Sequence, residues 1–275
     1  MKFNVRHSTT YRYSKPVFLE PHAIRLRPRS DPAQREISSS LIIEPKPVRL
    51  SWVLDGEGNS VAYAWFEGLT ETLDITSACE AETFRNNTFD FLWIDQSDRL
   101  GFKYQEALAL ERFLSPDPAP QTLTREVQAS AGGSTADFLG ALNLRIHQSI
   151  KVVIREEGDA RSPAETLRLG EGACRDLTVL FVACCREVGL AARFVSGYQA
   201  GDPDSADRYL HAWAEVYLPG GGWRGFDPTL GLAVADQHVA VASAPSSTGA
   251  APVSGSFRGT GASAEIETAL WLRTT

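Results

Sequence analysis

The sequence predicts an α+β protein, in which an N-terminal antiparallel β-sandwich-like domain precedes a core made of a helix packed on an antiparallel sheet. Three observations predict it. Apolar and polar residues alternate with period two in run after run over roughly the first 90 residues. A proline cluster, Pro116-Asp117-Pro118-Ala119-Pro120, then interrupts the chain. Beyond it, apolar residues recur at helical spacing, and afterwards alternate again in short segments joined by glycine turns.

The first strand follows from Phe3, Val5, His7, Thr9, Tyr11 and Tyr13, spaced two apart. Ala23 to Arg27 and Ser40 to Ile43 read as further short strands bounded by prolines. Val48, Leu50, Trp52 and Leu54 alternate, Asp55-Gly56-Glu57-Gly58-Asn59 turns the chain, and Val61, Tyr63 and Trp65 return, which is a hairpin signal. Leu73, Ile75 and Ser77 continue the pattern, and a succession of short strands points to an antiparallel sandwich or barrel-like domain. Proline can neither continue a helix nor pair fully in a sheet, so the domain boundary is set near 120, dividing the chain into 1–120 and 121–275.

In the second part, Phe138, Leu142, Ile146 and Ile150 form one stripe of a helix over 136–152. Ser162-Pro163-Ala164-Glu165 has the cap, the first-turn proline and the acidic residue of a helix start. The main helix runs from about Cys174 to Val188, with Leu177, Leu180, Phe181, Cys184 and Val188 inward and Gly189 as its stop. Ala192 to Tyr198 is a strand. His211 to Leu218 is another, with His211, Trp213, Glu215 and Tyr217 on one face, and Gly220-Gly221-Gly222 turns it into the strand Trp223 to Phe226. Residues 241–263, rich in Ala, Ser, Gly and Pro, are expected to form a mobile loop, and Ile266, Thr268, Leu270 and Leu272 mark a last strand.

Composition narrows the function classes. With 43% hydrophobic and 22% charged residues in 275, the chain is a globular protein able to bury a core. A net charge of −7 argues against nucleic acid as a partner. The first ten residues hold no apolar leader core and no apolar run approaches membrane-spanning length, so a cytoplasmic location without membrane association is expected. The four cysteines are then expected to be reduced thiols.

Cys174 is the most informative of them. It follows the glycine-rich Gly170-Glu171-Gly172 turn at a helix start, where unpaired backbone N–H groups favour a thiolate. His211 opens one strand and Asp227 closes the next, so an antiparallel pair brings base and carboxylate within one hydrogen bond of each other. Nucleophile, base and orienting carboxylate suggest a thiol enzyme. Taken singly, each has a plainer reading: a small buried hydrophobe, a hydrogen-bonded strand histidine, a turn residue before Pro228. The three could also bind zinc, but no Cys-x-x-Cys pair is present and a structural site usually needs four ligands. No metal or cofactor is inferred. Cys79, Cys184 and Cys185 are assigned to the core, Trp213 and Trp223 to hairpin packing, Arg25, Arg27 and Arg29 to a solvated face, and Arg175 and Asp176 to positioning the helix.

Four ordered segments carry a family resemblance: Gly-Ala-Cys-Arg-Asp-Leu-Thr, Arg-Glu-Val-Gly-Leu-Ala-Ala-Arg-Phe-Val-Ser-Gly-Tyr, His-Ala-Trp-Ala-Glu-Val-Tyr-Leu and Trp-Arg-Gly-Phe-Asp-Pro-Thr. Over about residues 140–232 the chain resembles the bacterial transglutaminase-like superfamily. Tyr-Arg-Tyr, Leu-Arg-Pro-Arg and Asp-Gly-Glu-Gly-Asn in the N-terminal part also look like the domain that precedes this core in one bacterial subgroup. The resemblance implies a papain-like core, with Cys174 as nucleophile, His211 as base and Asp227 as orienting carboxylate. It implies hydrolysis of amide or peptide bonds in a peptide or protein substrate through a thioester. Transamidation or deamidation by the same triad is the alternative, and a non-catalytic peptide- or protein-binding module is the non-enzyme alternative. One departure bears on the substrate cleft: Ala242-Ser243-Ala244-Pro245-Ser246-Ser247 stands where the subgroup has a polar Arg-Asp-Tyr-type segment.

Overall fold

The computed structural model describes residues 1–105, 107–115, 120–155, 157–201 and 208–275. The strands of the N-terminal part are β1 (Lys2–Leu19), β2 (His22–Ile24), β3 (Gln34–Glu44), β4 (Arg49–Leu54), β5 (Ser60–Trp65) and β6 (Thr70–Thr83). β1, β6 and β3 pair antiparallel in one sheet, and β2, β5 and β4 in a second. The period-two run of β1 puts Phe3, Val5, His7, Thr9 and Tyr13 on one buried face, and Leu73, Ile75, Ser77, Cys79 and Ala81 do the same in β6. Tyr13, Val17, Leu19, Leu73 and Ile75 meet Ile24, Ala62 and Ala64 of the second sheet, and Leu26 just after β2, in a shared core, so two antiparallel sheets face each other as in a sandwich. The β4–β5 hairpin has the expected register, Leu54 opposite Ser60, and the Asp55 carboxylate accepts the Glu57 and Asn59 N–H groups to hold the turn. The alternation in β4 does not lead to burial: Leu50, Trp52 and Leu54 are all exposed on this edge strand.

The middle of the chain forms α1 (Ala107–Leu114), α2 (Gln121–Ser130), α3 (Thr135–Ser149), β7 (Lys151–Val152), α4 (Pro163–Leu169), β8 (Glu171–Gly172), α5 (Cys174–Glu187), β9 (Ala192–Gln199), β10 (His211–Leu218), β11 (Gly222–Asp227) and β12 (Leu232–Ala233). Pro116 to Ala119 of the expected linker lie outside the described residues. α3 begins at its Ser134 cap, which accepts the Asp137 N–H, and ends at Ser149 rather than 152. Ile150-Lys151-Val152-Val153-Ile154 is β-branched at four of its five positions, which favours extended chain, and Lys151 and Val152 pair with β8 instead. α4 has the expected start, with Ser162 accepting from Glu165 N–H, and stops at Gly170, whose φ of 66° is left-handed. α5 ends at Glu187, and just beyond it Gly189 takes a left-handed φ of 79° while Leu190 N–H reaches the Cys185 carbonyl. Its stripe of Leu177, Leu180, Phe181 and Cys184 is fully buried against α3 and the sheet, in one core with Phe138, Leu142, Ala214, Val216 and Phe226. Complete burial of side chains of this size is worth about 1.5–3 kcal/mol each.

The last part is β13 (His238–Ala244), β14 (Val253–Ser254), β15 (Phe257–Arg258) and β16 (Ala264–Thr274). The core sheet runs β12-β11-β10-β9-β13, all antiparallel. Here the expected mobile loop over 241–263 is corrected. Residues 241–244 continue a strand in which every residue is buried, while β14 pairs with β2 and β15 with β1. Alanine and serine have weak strand preference, so the segment reads as loop, but their small size lets a strand lie between packed layers. β16 pairs with β1 from Phe3↔Thr274 to Tyr13↔Ala264. Residues of the second half of the chain thus complete sheets of the first. No helix among the described residues is long and apolar enough to cross a membrane.

Candidate active site

Cys174 is the first residue of α5. Its N-cap, Ala173, has no side-chain acceptor, and Asp176 in the first turn supplies one. The Asp176 carboxylate is fully buried and accepts the Ala173 N–H at 2.8 Å, the Arg161 N–H at 2.8 Å and the Arg155 guanidinium at 2.7 Å. An acid at this position satisfies an orphan N–H and complements the helix dipole. Arg175 donates to the carbonyls of Arg155 and Glu157, tying the same loop to the helix start. Gly172 suits this close approach, since a Cβ would sit 3.0 Å from Asp176 and Leu177 side-chain atoms.

His211 and Asp227 come from neighbouring strands. Ala214 lies opposite Phe226, so Asp227 falls one step further along, diagonal to His211. His211 Nε2 donates to Asp227 Oδ2 at 2.7 Å. Asp227 is fully buried, and its Oδ1 accepts the N–H groups of Thr229 and Leu230. Burial alone would raise the Asp227 pKa, but the His211 charge and the imidazole hydrogen bonds hold it far below the ordinary carboxylate range. Burial opposes protonation of His211, and the Asp227 charge and hydrogen bond, with a hydrogen bond to Cys174, outweigh it and push the imidazole up to about 10. An ionised carboxylate can only accept, so Nε2 carries a proton and Nδ1 is the nitrogen left for Cys174. The structure therefore brings all three sequence-selected residues together around His211.

One contributor escaped the sequence reading, and one assigned there to hairpin packing has a larger part. His238, on β13, donates Nε2–H to the same Asp227 Oδ2 at 3.0 Å and is buried. It lies on a strand outside the four motif segments, in a run of small apolar residues that gives no sign of chemistry. Trp213 is more than hairpin packing: its buried ring lies near-parallel to His211, centroids 6.4 Å apart, and edge-on to His238 at 5.1 Å. Its indole fits because Gly197 has no Cβ, which would sit 2.6 Å from the ring.

Other assignments are modified. Arg29 is not on a solvated face, since it is largely buried, donates to Ser243 Oγ and approaches Glu215. Arg27 pairs with Glu36 and Arg25 with Ser254. Cys79, Cys184 and Cys185 are buried, and burial pushes the Cys79 and Cys184 thiols up to about 12. His211, Asp227 and His238 place three potential ligand atoms within 4.8 Å of one another. Both imidazoles, however, already bond directly to one carboxylate oxygen, and an ion between them would break the two contacts that define the site.

Residues 3–82 match the model of the bacterial transglutaminase-like N-terminal region, and residues 121–228 match that of the transglutaminase-like superfamily. An uncharacterized protein of Mycobacterium bovis is 30% identical over 271 residues, spanning 87% of this chain and 82% of its own. A shorter stretch, 36% identical over 69 residues, is shared with a protein-glutamine gamma-glutamyltransferase of Pseudomonas aeruginosa, covering 22% of this chain and 10% of that protein. A crystal structure from Cytophaga hutchinsonii, described provisionally as a cysteine protease, superposes with a TM-score of 0.71 at 21% identity, over 100% of this chain and 91% of that one. Motifs, matched segments and fold agree, and the chain belongs to the transglutaminase-like superfamily.

Proposed function

We propose that the chain is a thiol-dependent amidohydrolase, a peptidase-like enzyme with Cys174 as nucleophile, His211 as proton carrier and Asp227 as the group that orients the imidazole. The observation that carries this reading is the His211–Asp227 contact of 2.7 Å, with Cys174 at a helix start and close enough to the same imidazole to help raise its pKa. In this mechanism Cys174 and His211 rest as a thiolate–imidazolium pair, the thiol proton held on His211 Nδ1, and the thiolate attacks an amide carbonyl carbon of a peptide or protein substrate. The first N–H groups of a helix have no intrahelical acceptor, and that of Cys174 is placed to stabilise the oxyanion. The Nδ1 proton passes to the leaving nitrogen as the C–N bond breaks, leaving a thioester. Water then attacks the thioester and gives a proton to Nδ1, and the sulfur leaves as a thiolate, which restores the ion pair.

An amine in place of water turns the second half into transamidation, the reaction named for the Pseudomonas relative. Hydrolysis is favoured by analogy with the Cytophaga protein, which shares the fold over the whole chain. The test is the rate at which iodoacetamide labels each cysteine near neutral pH, followed by a screen of peptide substrates with and without a primary amine. Cys174 should label faster than Cys79, and Cys174→Ala should abolish turnover while leaving the melting temperature unchanged. Equal labelling of the two cysteines, or full turnover by Cys174→Ala, would refute the assignment and favour a binding module.

A further inference from the structure

Asp227 Oδ2 is shared by two imidazoles, His211 at 2.7 Å and His238 at 3.0 Å. Both must donate, because the carboxylate only accepts. They differ in role. His211 is partly accessible and faces Cys174, whereas the His238 side chain is 4% exposed and touches no nucleophile. Burial, more than the Asp227 contact can offset, lowers the His238 pKa, so it donates as a neutral ring and adds no second cation beside His211. Its other nitrogen, Nδ1, is buried and has no hydrogen-bond partner among the described residues. The bond to Asp227 is therefore the polar interaction that the buried ring contributes at this place.

What holds His238 in place comes from the other end of the chain. The segment carrying it is gripped at successive points by side chains of the N-terminal part. Thr88 Oγ1 donates to the Val234 carbonyl, and Thr83 Oγ1 to the Asp236 carbonyl at 2.6 Å. Gln34 makes a two-way contact with Ala240, Nε2 to its carbonyl and Oε1 from its N–H, each 2.8 Å. Asn59 repeats this with Ser243, again at 2.8 Å both ways. Two carboxamides thus stand in for a neighbouring strand along the free edge of β13. The two clamped residues, Ala240 and Ser243, lie on either side of the register shift against β9 at Ala240/Ala242.

We propose that His238 is a positioning residue for the Cys174–His211–Asp227 site, and that the N-terminal sheets act on the site through it by fixing β13. The inference rests on the thiol-enzyme reading above. The N-terminal domain then contributes directly to the site, because the carboxylate that orients the base is steadied by a ring whose strand is clamped by Gln34 and Asn59. Loss of the His238 bond frees Asp227 to shift, loosens His211, and reduces the population of the reactive thiolate–imidazolium arrangement.

The test uses the full chain and needs no known substrate. Iodoacetamide labelling of Cys174 near neutral pH is followed by mass spectrometry, with Cys79 as an internal reporter of unfolding. His238→Phe keeps a ring but donates nothing, and should slow Cys174 labelling on the order of tenfold, as expected for loss of one buried hydrogen bond to a charge. His238→Gln restores a donor and should recover most of the rate. Gln34→Leu should slow labelling in the same sense, and the double variant with His238→Phe should be no slower than His238→Phe alone, because both changes act through one bond. Unchanged labelling in folded His238→Phe, or no recovery in His238→Gln, overturns the positioning role. Additive slowing in the double variant overturns the route through the N-terminal domain. Should His238→Phe lose cooperative folding, Gln34→Leu carries the test alone, and an unchanged rate there overturns the proposal. Failure of the thiol-enzyme reading itself has a separate signature: wild-type Cys174 labelled no faster than Cys79.

Discussion

Asp227 shows how much a single buried charge can organise. Its two oxygens accept from two imidazoles and two backbone N–H groups, so every donor around it favours the ionised form. The same arrangement makes His211 a stability determinant with a definite sign. Its folded pKa, about 10, lies above the ordinary value of 6.5. The stabilisation is therefore fully present below about 6.5 and is lost as pH rises through about 10. Chemical denaturation of the wild type and His211→Gln across this range should show their stability difference shrinking towards alkaline pH. A difference that stays constant would mean that the imidazole carries no raised pKa. Cys174, His211 and Asp227 are legible as candidates in the sequence because a glycine turn before a helix and two strand ends around a glycine hairpin constrain where such side chains point. His238 is not, since its partner is assembled by strand pairing between β9 and β13, which no local pattern encodes.

At the level of secondary-structure elements, the site depends on how closely β9, β10 and β13 can approach. Gly197 lies opposite both His211 on β10 and Ala240 on β13. A Cβ there would meet the Val239 carbonyl at 2.1 Å and the Trp213 ring at 2.6 Å. Gly197→Ala should destabilise the protein by about 1–3 kcal/mol, the usual range for overpacking, and should slow Cys174 labelling because Trp213 lies beside His211. Equilibrium unfolding checks the first part and alkylation the second; wild-type behaviour in both would mean that the sheet absorbs the methyl group. α5 is readable almost to the residue because its buried stripe, acidic first turn and terminal glycine agree with one another. The end of β13, residues 241–244, reads as loop because alanine and serine carry little strand preference, and its burial comes from what packs around it.

Over the full chain, β1 and β6 are long enough to serve two cores with one face. Tyr13, Val17, Leu73 and Ile75 pack under the second sheet, whereas Phe3, Val5, Cys79 and Ala81 pack on Tyr198, Val239 and Val241 of the core sheet. The C-terminal strand β16 then covers an edge of β1 along 11 residue pairs. Deleting residues 264–275 would leave that row of backbone groups unpaired. The expected result is a lower melting temperature with concentration-dependent association, read by calorimetry and light scattering; an unchanged monomer would mean that the sheet does not need the return strand. The α+β class, the strand and helix periods and the residue types able to do thiol chemistry can all be read along the chain, because they depend on spacing and local backbone preference. Three features cannot: that the chain's end returns to its first strand, that a run of alanines is a buried strand, and that a second histidine shares Asp227. Those contacts join residues far apart in the chain, and they exist only once the sheets have paired.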